Sequence, residues 1–303
     1  MEFFIQQLIN GVTLGGLYAL IALGYTMVYG IIQLINFAHG EFFAAGGYMG
    51  VILLSFLASK GYLAAYPWLC LGGSMILAMI YCAFLAMGVE KVAYKPMRKA
   101  SRLSVLLSAL GMSIFLQNYV LLAQTSDFLP FPELIPDFAF MEPIAHIVGS
   151  SDIVILITTA VVMVILTYVI KFTRIGKAMR ATAQDRTMAM LVGINVNNII
   201  SATFIIGSAL AAIGGLLIAS HIGQINFYIG FLAGIKAFTA AVLGGIGSIP
   251  GAVLGSFILG LTESFATGYV SSDYEDVFAF SLLVLILLFK PSGLLGKAET
   301  EKV

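Results

Sequence analysis

Charged side chains are scarce in this chain. Lys, Arg, Asp and Glu make up 10% of its 303 residues and cancel to a formal net charge of +0, whereas a soluble domain carries about 25% of such residues. Hydrophobic residues reach 60%, and the mean hydropathy is +1.02. This composition excludes an ordinary soluble domain and predicts an integral protein of the lipid bilayer. The balanced charge gives no sign of nucleic-acid binding.

Signatures of catalysis and of metal binding are also missing from the sequence. The chain has no G-x-x-x-x-G-K-[ST] phosphate loop, no H-E-x-x-H, no G-x-S-x-G and no Cys/His zinc cluster. Its two cysteines, Cys70 and Cys82, fall inside one apolar run, so we predict small core residues rather than a disulfide or metal pair. We therefore expect neither catalysis nor a cofactor or metal site in this chain.

Long apolar runs are what the sequence does contain. A transmembrane helix needs roughly 20 such residues, and the chain has nine candidate runs, of which the second and the last are short. The runs do not alternate as the strands of a β-barrel do. We predict an all-α, polytopic transmembrane helical bundle of 8 to 9 membrane segments, with room for interrupted or re-entrant helices. The runs cover residues 3–29, 42–58, 66–88, 103–123, 153–172, 199–220, 229–246, 249–265 and 277–289.

Charges of opposite sign occupy different linkers. Basic residues cluster at 91–102, 171–186 and 290–302, while 124–152 and 273–276 carry acidic residues and no basic ones. Because Lys and Arg accumulate in cytoplasmic loops, we predict that the three basic segments, including the C-terminus, are cytoplasmic. No Lys or Arg precedes the first run, and this run is too long for a signal peptide, so we expect it to be retained. The side of the N-terminus stays open, because eight and nine crossings place it differently.

One short stretch places polar groups inside this apolar background. Residues 33–50, QLINFAHGEFFAAGGYMG, include Asn36, His39 and Glu41. We predict that these three side chains lie at a helix break and that, with water, they satisfy backbone groups freed by the break. The glycines expected to permit the break are Gly40, Gly46 and Gly47.

Part of this stretch occurs a second time. INFAHG at 35–40 reappears in outline as INFYIG at 225–230, 190 residues later, so Asn226 matches Asn36. Chance is one explanation in an apolar, glycine-rich chain. A true repeat would join two apolar runs at each copy, the pattern of interrupted helices around a central site. Nine crossings would put the copies on opposite sides, and eight would put them on the same side.

The longest basic linker has the composition of a helix. Residues 176–198 are rich in Ala and Met, and Gly193 supplies a stop. Met188 and Leu191 at helical spacing leave two interpretations open: a helix on the membrane surface, or a docking helix for a cytoplasmic subunit.

Four stretches along the chain carry a family resemblance. They are GLYALIALGYTMVYGIIQLINFAHGEF, RATAQDRTMAMLVGIN, KAFTAAVLGGIGSIPGAVLGSFILGLTE and the tail LLFKPSGLLG. Together they resemble the branched-chain amino acid ABC transporter permeases, most closely the first of their two permease subunits. The resemblance covers nearly the whole chain and implies one permease domain, 1–303, in the bacterial inner membrane.

The same resemblance implies partners. In that family the permease pairs with a second permease, sits on two ATP-binding subunits that hold ATP and Mg²⁺, and receives substrate from a periplasmic binding protein. Residues 177–195, within a coupling loop at about 173–198, would contact the ATPases. The Glu-Ala-Ala motif of other importers is absent, so Asp185, Ala189 and Gly193 correspond to it only loosely.

The substrate and the energy source each have alternatives. Relatives of this family also serve urea and short amides. A stand-alone secondary transporter would instead couple through intramembrane acids.

Ionisable residues inside apolar runs cost about 2.5–3.5 kcal/mol each on insertion scales, so each needs a partner, water or an interfacial position. Lys236 and Glu263 form either a structural ion pair or part of a polar route for an amino acid, and the two histidines His39 and His221 are open to interfacial or hydrogen-bonded roles. The residues predicted to line the translocation pathway are Asn36, His39, Glu41, Asn226, Lys236 and Glu263. Those predicted to couple to the ATPases are Asp185, Arg186, Met188, Ala189, Leu191 and Gly193.

Overall fold

The computed structural model describes residues 1–33, 35–123, 126–132 and 148–296, without the side chains of Lys99 and Arg102. Much of the acidic linker at 124–152, including Glu133, and the last residues of the basic C-terminus therefore lie outside the described residues.

Helices dominate the described part of the chain, and each of the nine apolar runs forms one. The α-helices are α1 (Glu2–Ile32), α2 (His39–Ser59), α3 (Tyr62–Ala65), α4 (Pro67–Val89), α5 (Arg102–Ala123), α6 (Ser150–Phe172), α7 (Arg174–Gln184), α8 (Arg186–Leu191), α9 (Val196–Ile222), α10 (Ile229–Gly244), α11 (Ile249–Tyr269) and α12 (Glu275–Phe289). A π-helical turn (Glu90–Tyr94) extends α4, and two-residue strands β1 (Leu129–Pro130) and β2 (Gln224–Ile225) pair in antiparallel register. The all-α prediction is confirmed.

Membrane-spanning length is reached by seven of the described helices. The exceptions among the nine are α10 with 16 residues and α12 with 15. One hydrophobic cluster draws side chains from all nine, so α10 and α12 belong to the same bundle.

Several linkers meet at one end of the bundle. Arg98, in the turn after α4, hydrogen-bonds Asn197 at the start of α9. Arg186 of α8 donates two N–H groups to the Ile31 carbonyl in the last turn of α1, at 3.1 and 2.6 Å. We call this the basic end, because the linkers rich in Lys and Arg meet there.

The tail after α12 returns to the basic end. The Leu294 N–H donates to the Leu243 carbonyl at 2.9 Å, near the loop that follows α10. That loop reaches α1, since a Cβ placed on Gly30 would lie 3.9 Å from the Gly247 Cα.

The opposite, or far, end is joined by other contacts. The short β-pair links the segment after α5 to the segment after α9, with Leu129 opposite Ile225. His221 Nδ1, at the end of α9, lies 3.2 Å from Asp152 Oδ1 of α6. The N-terminus lies at the far end because α1 reaches the basic end at its C-terminus. Residue 296 lies at the basic end, so the described chain passes from end to end an odd number of times, in agreement with nine crossings.

The two Ile-Asn-Phe-x-x-Gly copies occupy equivalent places in the fold. One joins α1 to α2 and faces the basic end, and the other joins α9 to α10 and faces the far end, so the two helix pairs run in opposite directions. The first turns of α2 and α10 touch at Gly40 and Gly230, so the two breaks lie close together inside the bundle. Their packing is reciprocal: α1 packs on α11 as α9 packs on α4, and α2 packs on α4 as α10 packs on α11. The copies therefore form an inverted structural repeat, with the two breaks facing opposite ends of the bundle.

Glycine allows close helix contact in this repeat. Gly40 and Gly230 are the crossing point of α2 and α10, where a Cβ on Gly230 would lie 2.7 Å from the Gly40 carbonyl oxygen. Gly46 and Gly47 were predicted to permit the break before α2, and this was wrong. Both lie inside regular α2 and abut α9, where side chains at these positions would collide with Ala212 and Gly215. Small residues let helix backbones approach where lipid supplies no hydrophobic drive.

Candidate functional site

The break before α2 is buried. Helix α1 ends at Gln33, which adopts φ 56°, and Asn36 follows with 1% of its surface exposed. The Tyr94 hydroxyl donates to Asn36 Oδ1 at 2.5 Å. Tyr94 is placed there by the π-helical turn, and such turns are frequent at functional sites. Asn36 Nδ2 has no hydrogen-bond partner among the described residues.

His39 and Glu41 open α2 from the same buried break. The His39 ring packs 4.8 Å from the Tyr25 ring and fills the space that a side chain on Gly24 would need. His39 is thus buried within the chain, and not interfacial. Glu41, 1% exposed, accepts a hydrogen bond from the Ser113 hydroxyl of α5 at 3.1 Å. Its other oxygen, Oε2, has no hydrogen-bond partner in the described part of the chain.

The helix itself stabilises Glu41. The residue lies in the first turn of α2, where the helix dipole favours a negative charge. A carboxylate with one uncommitted oxygen at this place is suited to bind a proton, a water molecule or a cationic group.

Lys236 and Glu263 belong to a second group of polar residues. Lys236 Nζ lies 3.2 Å from Glu263 and 2.9 Å from Asp276, and it also contacts Glu275. Glu263 is fully buried and accepts the Tyr18 hydroxyl at 2.6 Å. The predicted ion pair therefore exists, and two acidic residues from the start of α12 enlarge it.

Asn226 contacts neither group in the described structure. It is half-buried, and its side-chain oxygen accepts the N–H of Tyr228 two residues later. This local bond shapes the turn before α10. The predicted pathway residues thus separate into a break group (Asn36, His39, Glu41), an ion cluster (Lys236, Glu263) and one turn residue.

The predicted coupling loop folds as two helices, α7 and α8. Asp185 separates them and caps α8, accepting the N–H groups of Thr187 and Met188 at 2.8 and 3.0 Å. Desolvation by partial burial lowers the pKa of the Arg186 guanidinium, and the positive charge of Arg98 adds to this effect. Asp185 is exposed and caps α8, whereas half-buried Arg186 ties α8 to α1.

Helix α8 exposes its large apolar side chains. Met188 is 60% exposed and Leu191 75%, whereas Ala189 is buried at 2% against the bundle. Gly193 ends this segment with φ +86°, as the helix-stop prediction requires. The arrangement leaves an apolar surface at the basic end, held in place by Ala189 and Arg186.

A third polar cluster was not predicted from the sequence. Glu90, 4% exposed, bonds Arg98 and accepts the Ser201 hydroxyl at 3.0 Å. Arg98 also reaches Asn197, so the cluster ties the turn after α4 to α9 beside α8. Glu90 at the end of an apolar run, eight residues before an arginine, was the available signal. No feature of the sequence marked Tyr18, Ser113 or Tyr94 as a hydrogen-bond partner of these buried groups.

In the described ranges, nine apolar helices, two inverted helix breaks and an apolar surface at the basic end define a multi-pass helical membrane protein. Residues 7–287 match the family described as branched-chain amino acid transport system / permease component. The chain belongs to this family. No solved structure matches it.

Three curated relatives match over nearly their whole length. The high-affinity branched-chain amino acid transport system permease protein LivH of Salmonella typhimurium is 48% identical over 99% of this chain and 98% of its own. The LivH protein of Escherichia coli is 47% identical over the same shares. BraD of Pseudomonas aeruginosa, with the same description, is 50% identical over 99% of this chain and 98% of its own.

Proposed function

We propose that this chain is a permease subunit of a bacterial ABC importer and carries branched-chain amino acids across the inner membrane. The observation that carries the proposal is identity of 47–50% over 98–99% of both chains to permeases described by that activity. The helical bundle provides the membrane part, and ATP hydrolysis belongs to separate subunits.

We place the basic end in the cytoplasm and the far end outside. The Lys and Arg residues of 91–102 and 171–186 lie at the basic end, and such residues accumulate on the cytoplasmic side. With nine crossings the N-terminus is then outside. A second permease would complete the translocation path, and a periplasmic binding protein would deliver substrate at the far end.

One of the two ATP-binding subunits would dock on the apolar surface of α8. Exposed Met188 and Leu191 are suited to be buried anchors, which usually contribute more binding energy than rim charges. If α8 moves with a docked ATPase, α1 is expected to move with it, because Arg186 hydrogen-bonds a carbonyl in the last turn of α1. That turn leads into the break group, which contains Glu41.

A stand-alone secondary transporter is the competing function. The inverted repeat and the buried carboxylate of Glu41 are features that such transporters share. The energy source separates the two, since a secondary transporter runs on an ion gradient without ATPase subunits.

Uptake into proteoliposomes tests the proposal. The chain would be reconstituted with its partner permease, ATPases and binding protein, with ATP enclosed on the ATPase side. We expect leucine, isoleucine and valine uptake that requires ATP. Uptake that persists with a proton gradient and no ATP would refute the ABC assignment, and ATP-driven uptake of urea or a short amide alone would refute the substrate.

A further inference from the structure

A groove of about 230 Å³ opens on the outer surface between α2, α4 and α5. Its lining includes Tyr48, Met49, Ile52, Tyr81, Tyr119 and Val120. We propose that this groove binds the transported amino acid, with the aliphatic side chain against Met49, Ile52 and Val120 and the carboxylate at the phenol hydroxyls. The inference deepens the proposed function and depends on it.

Phenol groups provide the polar part of this groove. The Tyr81 and Tyr119 hydroxyls lie 3.2 Å apart and bond each other across α4 and α5. Each phenol has one proton to donate, so their mutual bond uses one of the two and leaves the other available. Tyr48, only 2% exposed, has a hydroxyl with no hydrogen-bond partner in the described structure. A buried hydroxyl without a partner is costly, and a ligand carboxylate or its water would satisfy it.

The size of the groove limits the ligand. Pockets for drug-sized molecules occupy about 300–1,000 Å³, so a groove of about 230 Å³ fits a smaller molecule. A mainly aliphatic wall with phenol donors at one side matches a small zwitterion with an apolar side chain. A sugar would need several polar partners along the wall.

The outer surface of α5 differs from that of α6. The exposed positions of α6 from Ile157 to Ile165 are apolar, as expected for a helix against lipid, and Tyr168 follows at 61% exposed. Exposed positions of α5 include Asn118 and Tyr119, and polar groups facing hydrocarbon are costly. Asn118 has no counterpart on α6 between Ile157 and Ile165, which favours a groove that faces water or a protein partner on the translocation side of the subunit.

The groove lies on the same face of α2 as Glu41. Helix positions 41, 45, 48, 49 and 52 of α2 recur at three- and four-residue spacing, so they share one face. Ser113, the partner of Glu41, lies on α5 two turns before Val120. Ala123, at the last residue of α5, lines the groove near the far end. An amino acid delivered at the far end would thus meet the groove before it meets Glu41.

Filling the groove mouth tests the proposal in the complete ATP-driven complex. Ala123→Trp puts a bulky side chain at an exposed groove position, and Ala160→Trp is the matched control on the exposed surface of α6. At saturating loaded binding protein, we expect Ala123→Trp to lower leucine uptake about ten-fold or more and the control to change it less than about two-fold. The double variant Tyr81→Phe, Tyr119→Phe keeps both rings and should lower uptake about ten-fold, as expected for losing a hydrogen bond to a charged group. Tyr168→Phe on α6 is its control.

Co-purification of the second permease and the ATPases is measured on every variant. Wild-type uptake by both Ala123→Trp and the double Phe variant would overturn the groove proposal while leaving the proposed function intact. Loss of the second permease from Ala123→Trp would also overturn it, because a partner helix would then be the occupant. A wild-type complex without ATP-driven leucine uptake would instead refute the proposed function.

Discussion

The two helix breaks of the inverted repeat have the same backbone arrangement but carry different side chains. At the basic end, the break before α2 buries Asn36, His39 and Glu41, each 1% exposed. At the far end, the matching positions hold Asn226, Ile229 and Phe231, and the chain there is partly exposed and paired with β1.

This difference distinguishes residues that serve the fold from polar residues that could serve transport. Both breaks end in a glycine that permits the α2–α10 crossing, so the glycines belong to the fold. Only the first break carries ionisable side chains, and only it lies next to the helix held by Arg186 of α8. The second half instead carries Lys236, whose charge is neutralised by three carboxylates within the chain. We therefore propose that the first break handles the substrate or a proton and that the ion cluster stabilises the fold.

The largest stability effect is expected from the ion cluster. Lys236→Met leaves fully buried Glu263 without its cation and should destabilise the protein by about 3–5 kcal/mol. Thermal unfolding of the purified complex in detergent measures this. Lys177→Met, at an exposed position of α7, is the control. Adding Glu263→Gln to Lys236→Met should restore part of the loss, and a Lys236→Met protein as stable as the control would contradict a structural role.

The second largest stability effect is expected at the crossing of α2 and α10, where Gly40 meets Gly230. A side chain at Gly40 would collide with the Gly230 carbonyl and lie 2.8 Å from the Gly234 Cα, both backbone groups that cannot rotate away. Gly40→Val should cost about 1–3 kcal/mol or more through overpacking. Gly72→Ala has no atom within 4 Å of the new Cβ and should be neutral. Equal unfolding temperatures for the two variants would mean that the crossing is looser than described.

A smaller effect is expected at the end of α8. Gly193 has φ +86° with open space around it, so Gly193→Val adds strain of roughly 1–2 kcal/mol without a clash. Gly193→Ala should be milder. The measurement is the amount of ATPase subunits that co-purify with each variant. If valine retained them as well as glycine does, the turn would have no part in docking.

The apolar pattern predicted much of the fold because membrane helices must each be long and continuous. The nine runs became nine helices, and the separation of basic from acidic linkers matches the two ends of the bundle. The interrupted segment at Asn36, His39 and Glu41 was also visible, since buried polar groups are rare in such a sequence.

Contacts between helices were not predictable, because they depend on rotation and tilt that a single sequence does not specify. Glu275 and Asp276 seemed part of an acidic loop, yet α12 begins beside Lys236. Gly46 and Gly47 illustrate a second limit of prediction from sequence. Glycine occurs both at helix breaks and where helices pack closely, and the sequence alone does not distinguish the two. Asp185 was within reach of prediction: an Asp before a helical run is a common cap.

Uptake by Glu41→Gln tests the central claim most directly. The substitution keeps the size of the side chain and its acceptor for Ser113 while removing the carboxylate, so insertion and assembly should be retained. Phe231→Leu, at the matching position of the second break, is the parallel control. If the first break handles the substrate or its proton, ATP-driven leucine uptake should fall about ten-fold or more in Glu41→Gln and stay near wild type in Phe231→Leu. Wild-type uptake by Glu41→Gln would contradict the claim and leave the buried carboxylate with a structural role alone.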